Sequence, residues 1–255
     1  MNTTRALPAP FKTRMTWSTA IALIASLGLL GACAPKYYSS NAQNVPLLTS
    51  EGEGAISASI NPDASRADAR GALAVSENIG VLANASVFFP RDDDSGNGGS
   101  GGLFEMGVGY FRPLENNLVF ETYGLVAYGG LENHFETANP NGKLNANLIR
   151  VAVQPAFGYK RRHFEAAASS RLAMLNYFNV DGGLIRDGES EAEYLRDNRM
   201  QFLLEPAITL RAGIDILKAE AQLGWSVNLS DDEFPQDKNW ASVGLVYYFA
   251  PAVRR

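Results

Sequence analysis

The chain has 255 residues, 46% of them hydrophobic, with 22 Lys+Arg against 27 Asp+Glu and a net charge of −5. That acidity argues against nucleic acid as a partner, because phosphate binding draws on a local excess of Lys and Arg. With a single cysteine no intramolecular disulfide can form, so stability has to come from packing or from a membrane. Nothing in the sequence signals a cofactor.

The first 32 residues stand apart from the rest. Arg5, Lys12 and Arg14 are their only charges, and all three precede an apolar stretch from Ala20 to Leu30 that gives way to Gly31 and Ala32. Basic, then apolar, then small is the order of a secretory signal peptide. The apolar run, about 11 residues, falls short of the ~20 that a helix needs to cross a bilayer. Leu30-Gly31-Ala32-Cys33 resembles the lipobox of bacterial lipoproteins. The resemblance implies removal of residues 1–32 and a diacylglyceryl group on the Cys33 thiol, and Ala34 in the following position is compatible with sorting to the outer membrane. The alternatives are an ordinary signal peptide with an incidental cysteine, or a nucleophile, which would need a neighbouring base and a formed pocket. Loss of residues 1–32 removes three positive charges and leaves 19 Lys+Arg against 27 Asp+Glu, a net charge of −8.

Residues 34–54, APKYYSSNAQNVPLLTSEGEG, carry two prolines and no sustained period, as expected of a tether. Within it Val45–Thr49 is a short apolar run that either packs at the mouth of the following domain or begins the first ordered element.

Beyond Gly54 the pattern has period two almost to the end. Leu217, Ala219, Ala221, Leu223, Trp225 and Val227 alternate with Lys218, Glu220, Gln222, Gly224, Ser226 and Asn228, and Ala241, Val243, Leu245, Tyr247 and Phe249 share one face of the last segment. Ten strands are predicted, at 55–61, 67–76, 79–89, 103–111, 118–129, 146–159, 163–178, 200–211, 216–229 and 239–249, or eight if the weak segments before Glu77 do not form strands. Most exceed the ~5–6 residues of an ordinary soluble strand and match the ~9–11 of a tilted membrane span. Connections after even strands are short, whereas those at 90–102, 130–145, 180–199 and 230–238 are long and sum to about −9 in charge. Tight turns on one side and long loops on the other are the arrangement of outer-membrane barrels, with the turns in the periplasm. An even strand count leaves both strand termini on that side, and the lipidated Cys33 is expected there too.

The charges in mid-strand separate two architectures. A soluble sandwich or lipocalin turns its apolar face inward, whereas a membrane barrel turns it to lipid and keeps polar side chains in the lumen. On the second reading the luminal set is Glu105, Glu121, Arg150, Glu165, Arg171, Glu205, Arg211, Lys218 and Glu220. Five acids and four bases nearly cancel, and buried charges persist when paired, so a cross-strand ion-pair network filling a narrow lumen is expected in place of an open pore. Tyr110, Tyr128, Tyr159, Phe178 and Trp225 fall near strand ends, where interfacial girdles form. Val246-Tyr247-Tyr248-Phe249 resembles the last strand of outer-membrane proteins, which implies that Tyr247 and Phe249 serve as the assembly signal; the match departs from the pattern in that Ala250–Arg255 follow.

Two chemistries find little support. DDDSGN at 92–97 has Gly96 in a ligand position and Asn97 where a calcium loop needs glycine, so no metal site is expected. Small outer-membrane barrels include lipid-modifying enzymes and proteases, which need a His with a Ser or carboxylate, or paired acids. Of the two histidines, His134 is expected in a long loop and His163 at the start of a strand at the opposite end, so they do not share a site and no enzyme is expected.

The chain therefore resembles bacterial outer-membrane β-barrel proteins with a lipoprotein signal peptide: all-β, an antiparallel up-and-down transmembrane barrel of about ten strands. Its expected divisions are a signal peptide at 1–32, a lipidated tether at 33–54, a barrel at 55–249 and a C-terminal tail at 250–255. The implied partners are outer-membrane lipids and the barrel-assembly and lipoprotein-processing machinery, and the expected role is structural or one of surface interaction. The alternatives are a soluble periplasmic lipocalin-like lipoprotein holding an apolar ligand, or a small lipid-modifying enzyme.

Overall fold

The computed structural model describes residues 36–90, 98–134, 142–186 and 188–249. The signal peptide, Cys33, the 92–97 motif and the tail 250–255 lie outside the described residues. Ten strands close into one antiparallel ring: β1 (Gly54–Ile60), β2 (Arg66–Ala74), β3 (Ile79–Phe88), β4 (Gly98–Pro113), β5 (Leu118–His134), β6 (Lys143–Lys160), β7 (Phe164–Gly182), β10 (Met200–Gly213), β11 (Leu217–Trp225) and β13 (Asn239–Phe249). Neighbours in sequence pair with each other, and β13 returns to β1 with Gly54 opposite Phe249 and Ile60 opposite Val243. The early segments β1 and β2 pair along their length, which decides for ten strands over eight. Closure leaves no unpaired edge among these strands, the condition for putting a sheet into lipid.

Three short pieces complete the long-loop end. Ser226 interrupts β11, and β12 (Val227–Asn228) continues its pairing with Leu203 and Leu204. A hairpin of β8 (Ile185–Arg186) and β9 (Glu189–Ser190) and a helix α1 (Glu191–Asp197) lie in the β7–β10 connection. Ser190 caps the helix by accepting a hydrogen bond from the Glu193 amide at 3.4 Å. No periodicity at 180–199 points to this helix, because seven residues offer too few turns for a visible period.

The strands on the long-loop side outrun their predicted limits. β4 begins at Gly98, β5 runs to His134, β6 begins at Lys143 and β7 runs to Gly182. Gly-Gly-Ser-Gly-Gly at 98–102 carries no apolar alternation, but its backbone completes the ladder opposite 130–134, and a ladder needs only N–H and C=O groups. His134 is therefore at a strand end opposite Lys143 rather than in a loop, and His163 sits in the β6–β7 turn at the other end of the barrel, its Nδ1 3.1 Å from the Gly213 carbonyl oxygen. At the short-turn end, Asn116 and Asn117 both adopt left-handed backbone (φ 60° and 65°), which lets four residues join β4 to β5.

The two faces of the sheet resolve the question that alternation leaves open. Val126, Met106 and Leu245 are 59%, 59% and 56% exposed on the outside, and Leu217, Leu223 and Trp225 of β11 share that face. Lys218, Glu220 and Gln222 of the same strand are buried inside. A lipocalin-like barrel requires the reverse, since an apolar exterior of this extent has no stable contact with water. Tyr110 and Tyr159 lie toward the short-turn end and Tyr128, Phe178 and Trp225 toward the other, with the Tyr128 and Phe178 rings 6.1 Å apart.

Because Val126 faces outward in the middle of β5, Val126→Arg should destabilise the barrel in a lipid bilayer by about 2–4 kcal/mol, whereas the same charge on an exposed loop should cost little. Urea titration of the protein folded into vesicles would measure the difference.

Candidate functional site

The lumen holds every residue of the predicted ion-pair set, and cross-strand register explains how they meet. Glu205 lies directly opposite Arg171, and Arg211 lies opposite both Glu165 on β7 and Glu220 on β11. The resulting pairs are Arg171 Nε–Glu205 at 2.5 Å, Arg211 Nη1–Glu165 at 3.1 Å and Arg211 Nε–Glu220 at 2.7 Å, with Lys218 Nζ on Glu165 at 2.8 Å. Arg150 reaches Glu105 across an intervening strand. The residue between them in register is Ala127, whose methyl group leaves the guanidinium a path. Tyr248 donates its hydroxyl to Glu165 at 2.5 Å. Glu121 is held differently: its Oε2 accepts from the Leu47 amide at 3.0 Å, and its Oε1 has no hydrogen-bond partner among the described residues.

Five further charged residues belong to this lumen: Glu53, Arg66, Asp68, Arg70 and Lys160. Arg70 donates to Glu220 at 2.5 Å, Arg66 pairs with Asp68 at 3.0 Å and Lys160 pairs with Glu53. With them the described lumen carries seven acids and seven bases. Arg66, Asp68 and Arg70 share one parity along β2, so their common face was readable from spacing. Lys160 was expected in the short turn and Glu53 in the tether.

The largest difference from the sequence reading is the tether itself. Residues 36–50 run through the lumen as a plug, with Tyr37, Tyr38 and Ser40 to Leu48 all buried. Side chains from around the ring satisfy its backbone. Arg66 donates to the Ser40 carbonyl, Arg70 Nη1 to the Gln43 carbonyl at 2.9 Å, Gln154 to the Asn44 carbonyl at 2.8 Å and Lys160 to the Leu47 carbonyl at 2.8 Å. Its own side chains bridge the charge clusters. The Tyr38 hydroxyl donates to Glu205 at 3.0 Å and accepts from Arg150 at 2.6 Å, while Asn41 Oδ1 accepts from both Arg150 (2.9 Å) and Arg171 (3.0 Å). Asn44 Nδ2 reaches Asn84 Oδ1 at 2.8 Å, and Asn84 donates in turn to Glu105 at 2.7 Å.

Between Tyr37 and Leu48 the plug has no charged residue. A neutral segment rich in amides and hydroxyls can donate and accept beside either sign, so it leaves the surrounding acid–base balance unchanged. Its apolar end is accommodated by missing side chains. A Cβ on Gly158 would lie 2.4 Å from Leu47, and one on Gly80 would lie 2.9 Å from Leu48. Leu47 itself has left-handed backbone (φ 51°), an uncommon conformation that its buried contacts hold in place.

The plug has a direction. Its first residues contact the long-loop side, where the Tyr37 amide donates to the Pro235 carbonyl at 2.8 Å and the Asp237 amide to the Tyr38 carbonyl at 3.0 Å. Lys36 pairs with Asp237, and Asn133 donates to the Lys36 carbonyl at 3.1 Å. Tyr37 packs on Phe234 and Tyr194, with ring centroids 5.6 and 6.0 Å apart. Burial and the adjacent Asp231 carboxylate push the Tyr194 hydroxyl above the usual phenol range. Leu47 and Leu48 occupy the short-turn end, and Gly52, with φ 78°, helps turn the chain into β1. The expectation that the described tether stays on the short-turn side with the strand termini is therefore corrected. Strand parity locates Gly54 and Phe249 but says nothing about a segment that precedes the first strand.

No protein-family model matches the chain, and no curated protein matches it in sequence. Among solved structures it is similar to a bacterial polysaccharide outer membrane secretin, at 10% identity and a TM-score of 0.26, over 79% of this chain and 99% of that one.

Variants at two places, the Arg171–Glu205 pair and Gly158, test the lumen. Arg171→Met strands the buried Glu205 carboxylate and should cost about 3–5 kcal/mol, whereas Arg171→Met with Glu205→Leu should recover much of that loss. Gly158→Val should cost about 1–3 kcal/mol by overpacking against Leu47. Denaturant midpoints in detergent micelles would measure both.

Proposed function

We propose that the chain is a lipid-anchored outer-membrane β-barrel, with its short turns in the periplasm and its long loops at the cell surface, and that its N-terminal segment keeps the lumen from conducting. The observation that carries this reading is the pairing of an apolar exterior with a balanced, charge-paired lumen occupied along its length by residues 36–50. A transport pore needs a continuous hydrated path, and here the cationic side chains that would line one are engaged with carboxylates or with the plug's carbonyls. The role is then structural, or one of presenting the acidic long loops to a surface partner.

The lipobox at 30–33 supports modification of Cys33 by the lipoprotein-processing machinery. Alternation through β13, with Tyr247 facing outward, supports recognition of Tyr247 and Phe249 by the barrel-assembly machinery. The protein is proposed not to be an enzyme, since the two histidines lie at opposite ends of the barrel.

Removal of residues 37–48 tests the central claim. In planar bilayers the intact protein should show no steady conductance and the deletion protein should conduct. A steady open conductance from the intact protein would refute the plugged-lumen reading. Heat-modifiable migration on gels after detergent extraction, together with aggregation of the Cys33→Ser protein when detergent is withdrawn, should accompany a membrane-spanning barrel. A Cys33→Ser protein that stays folded in plain buffer would refute it.

A further inference from the structure

We propose that the polypeptide is threaded outward, so that the chain immediately before Lys36 emerges at the long-loop mouth and the N-terminal anchor is displayed at the cell surface, not in the periplasmic leaflet. The inference deepens the function proposed above and rests on it for two points, that the long loops face outward and that Cys33 carries the lipid.

The geometry leaves little freedom. Lys36, Tyr37 and Tyr38 are tied to Asn133, Pro235 and Asp237, all on the long-loop side. Nine residues after Tyr38, the Leu47 carbonyl accepts from Lys160 at the far end of β6. Between those points the segment is enclosed by a ring of ten strands whose every neighbouring pair is hydrogen-bonded, so it has no lateral exit. An extended chain advances at most ~3.6 Å per residue, and the three residues from Lys36 back to Cys33 reach ~11 Å. The hydrocarbon core is ~30 Å thick, so Cys33 cannot return to the short-turn side.

Asp237 and Pro235 hold the upper end of the plug through Lys36, Tyr37 and Tyr38, while Glu53 and the start of β1 hold the lower end, with Glu53 accepting from the Thr49 amide at 2.6 Å and pairing with Lys160. A plug held at both ends resists withdrawal in either direction. The arrangement also sets an order of assembly. Acyl chains do not fit past a lumen packed with Tyr38, Arg150 and Arg171, so the segment has to be in position before β13 closes onto β1.

The test compares accessibility on intact cells and after permeabilisation. A short epitope inserted after Ala34 in the otherwise unaltered chain should be detected on intact cells, as should an epitope within the loop at 92–97, while one in the turn at 161–163 should require permeabilisation. If the N-terminal epitope follows the 161–163 turn, the threading proposal is overturned. The comparison is relative: if the whole barrel were inverted, the N-terminal epitope would still follow the 92–97 loop, so failure of the assumed orientation is distinguishable from failure of threading. Incorporation of labelled palmitate into the wild type and its loss in Cys33→Ser read the anchor separately. Should the insertion disturb folding, Lys36→Cys in the Cys33→Ser background provides a second readout with a membrane-impermeant maleimide. It should label like Lys143→Cys and unlike Arg162→Cys, and labelling that matches Arg162→Cys would overturn the proposal.

Discussion

A ring with an apolar outside withdraws the charged side chains on its inside from bulk water, and pairing those charges shapes everything else in this protein. Ionised side chains withdrawn from bulk water are costly unless paired and hydrogen-bonded. Direct cross-strand register meets much of that demand, as with Glu205 opposite Arg171 and Arg211 between Glu165 and Glu220. Pairing within the wall does not use every donor, however. An Arg guanidinium offers five N–H groups, and Arg66, Arg70, Arg150 and Arg171 each give at least one of theirs to a segment belonging to no strand.

This makes the plug part of the core. Its hydrogen bonds tie it to β2, β3, β5, β6, β7, β10 and β11. Through them, strands far apart around the ring are coupled by one chain. The neutrality of residues 37–48 is what permits it to run past clusters of both signs without displacing an existing pair. Glycines at 80 and 158 supply the room at its apolar end, where bulky leucines meet the wall instead of amides.

Much of the architecture was legible in the chain. Period-two alternation, the spacing of tight turns and the contrast of short and long connections point to ten strands and their order, and parity puts the mid-strand charges of β4–β7, β10 and β11 on one face. What escaped notice had weak local signals. Gly98–Gly102 extends β4 by backbone pairing alone, α1 is too short to show a period, and Arg66, Asp68 and Arg70 share a parity along a segment whose apolar alternation is weak. The tether showed no period because its neighbours are supplied by the surrounding wall, not by an adjacent strand in regular register.

Which side chains share a face and how many times the chain reverses are local matters, because alternation and turn formation follow from backbone geometry. Which face looks outward and where residues 36–50 go are not local. Inside and outside do not exist until β13 pairs with β1, and a segment without a repeating pattern acquires its path from the groups that close around it. Cys33 belongs to both accounts: its neighbours in sequence make it a candidate for lipid, while the direction of the plug three residues downstream bears on the face of the membrane at which that lipid would lie.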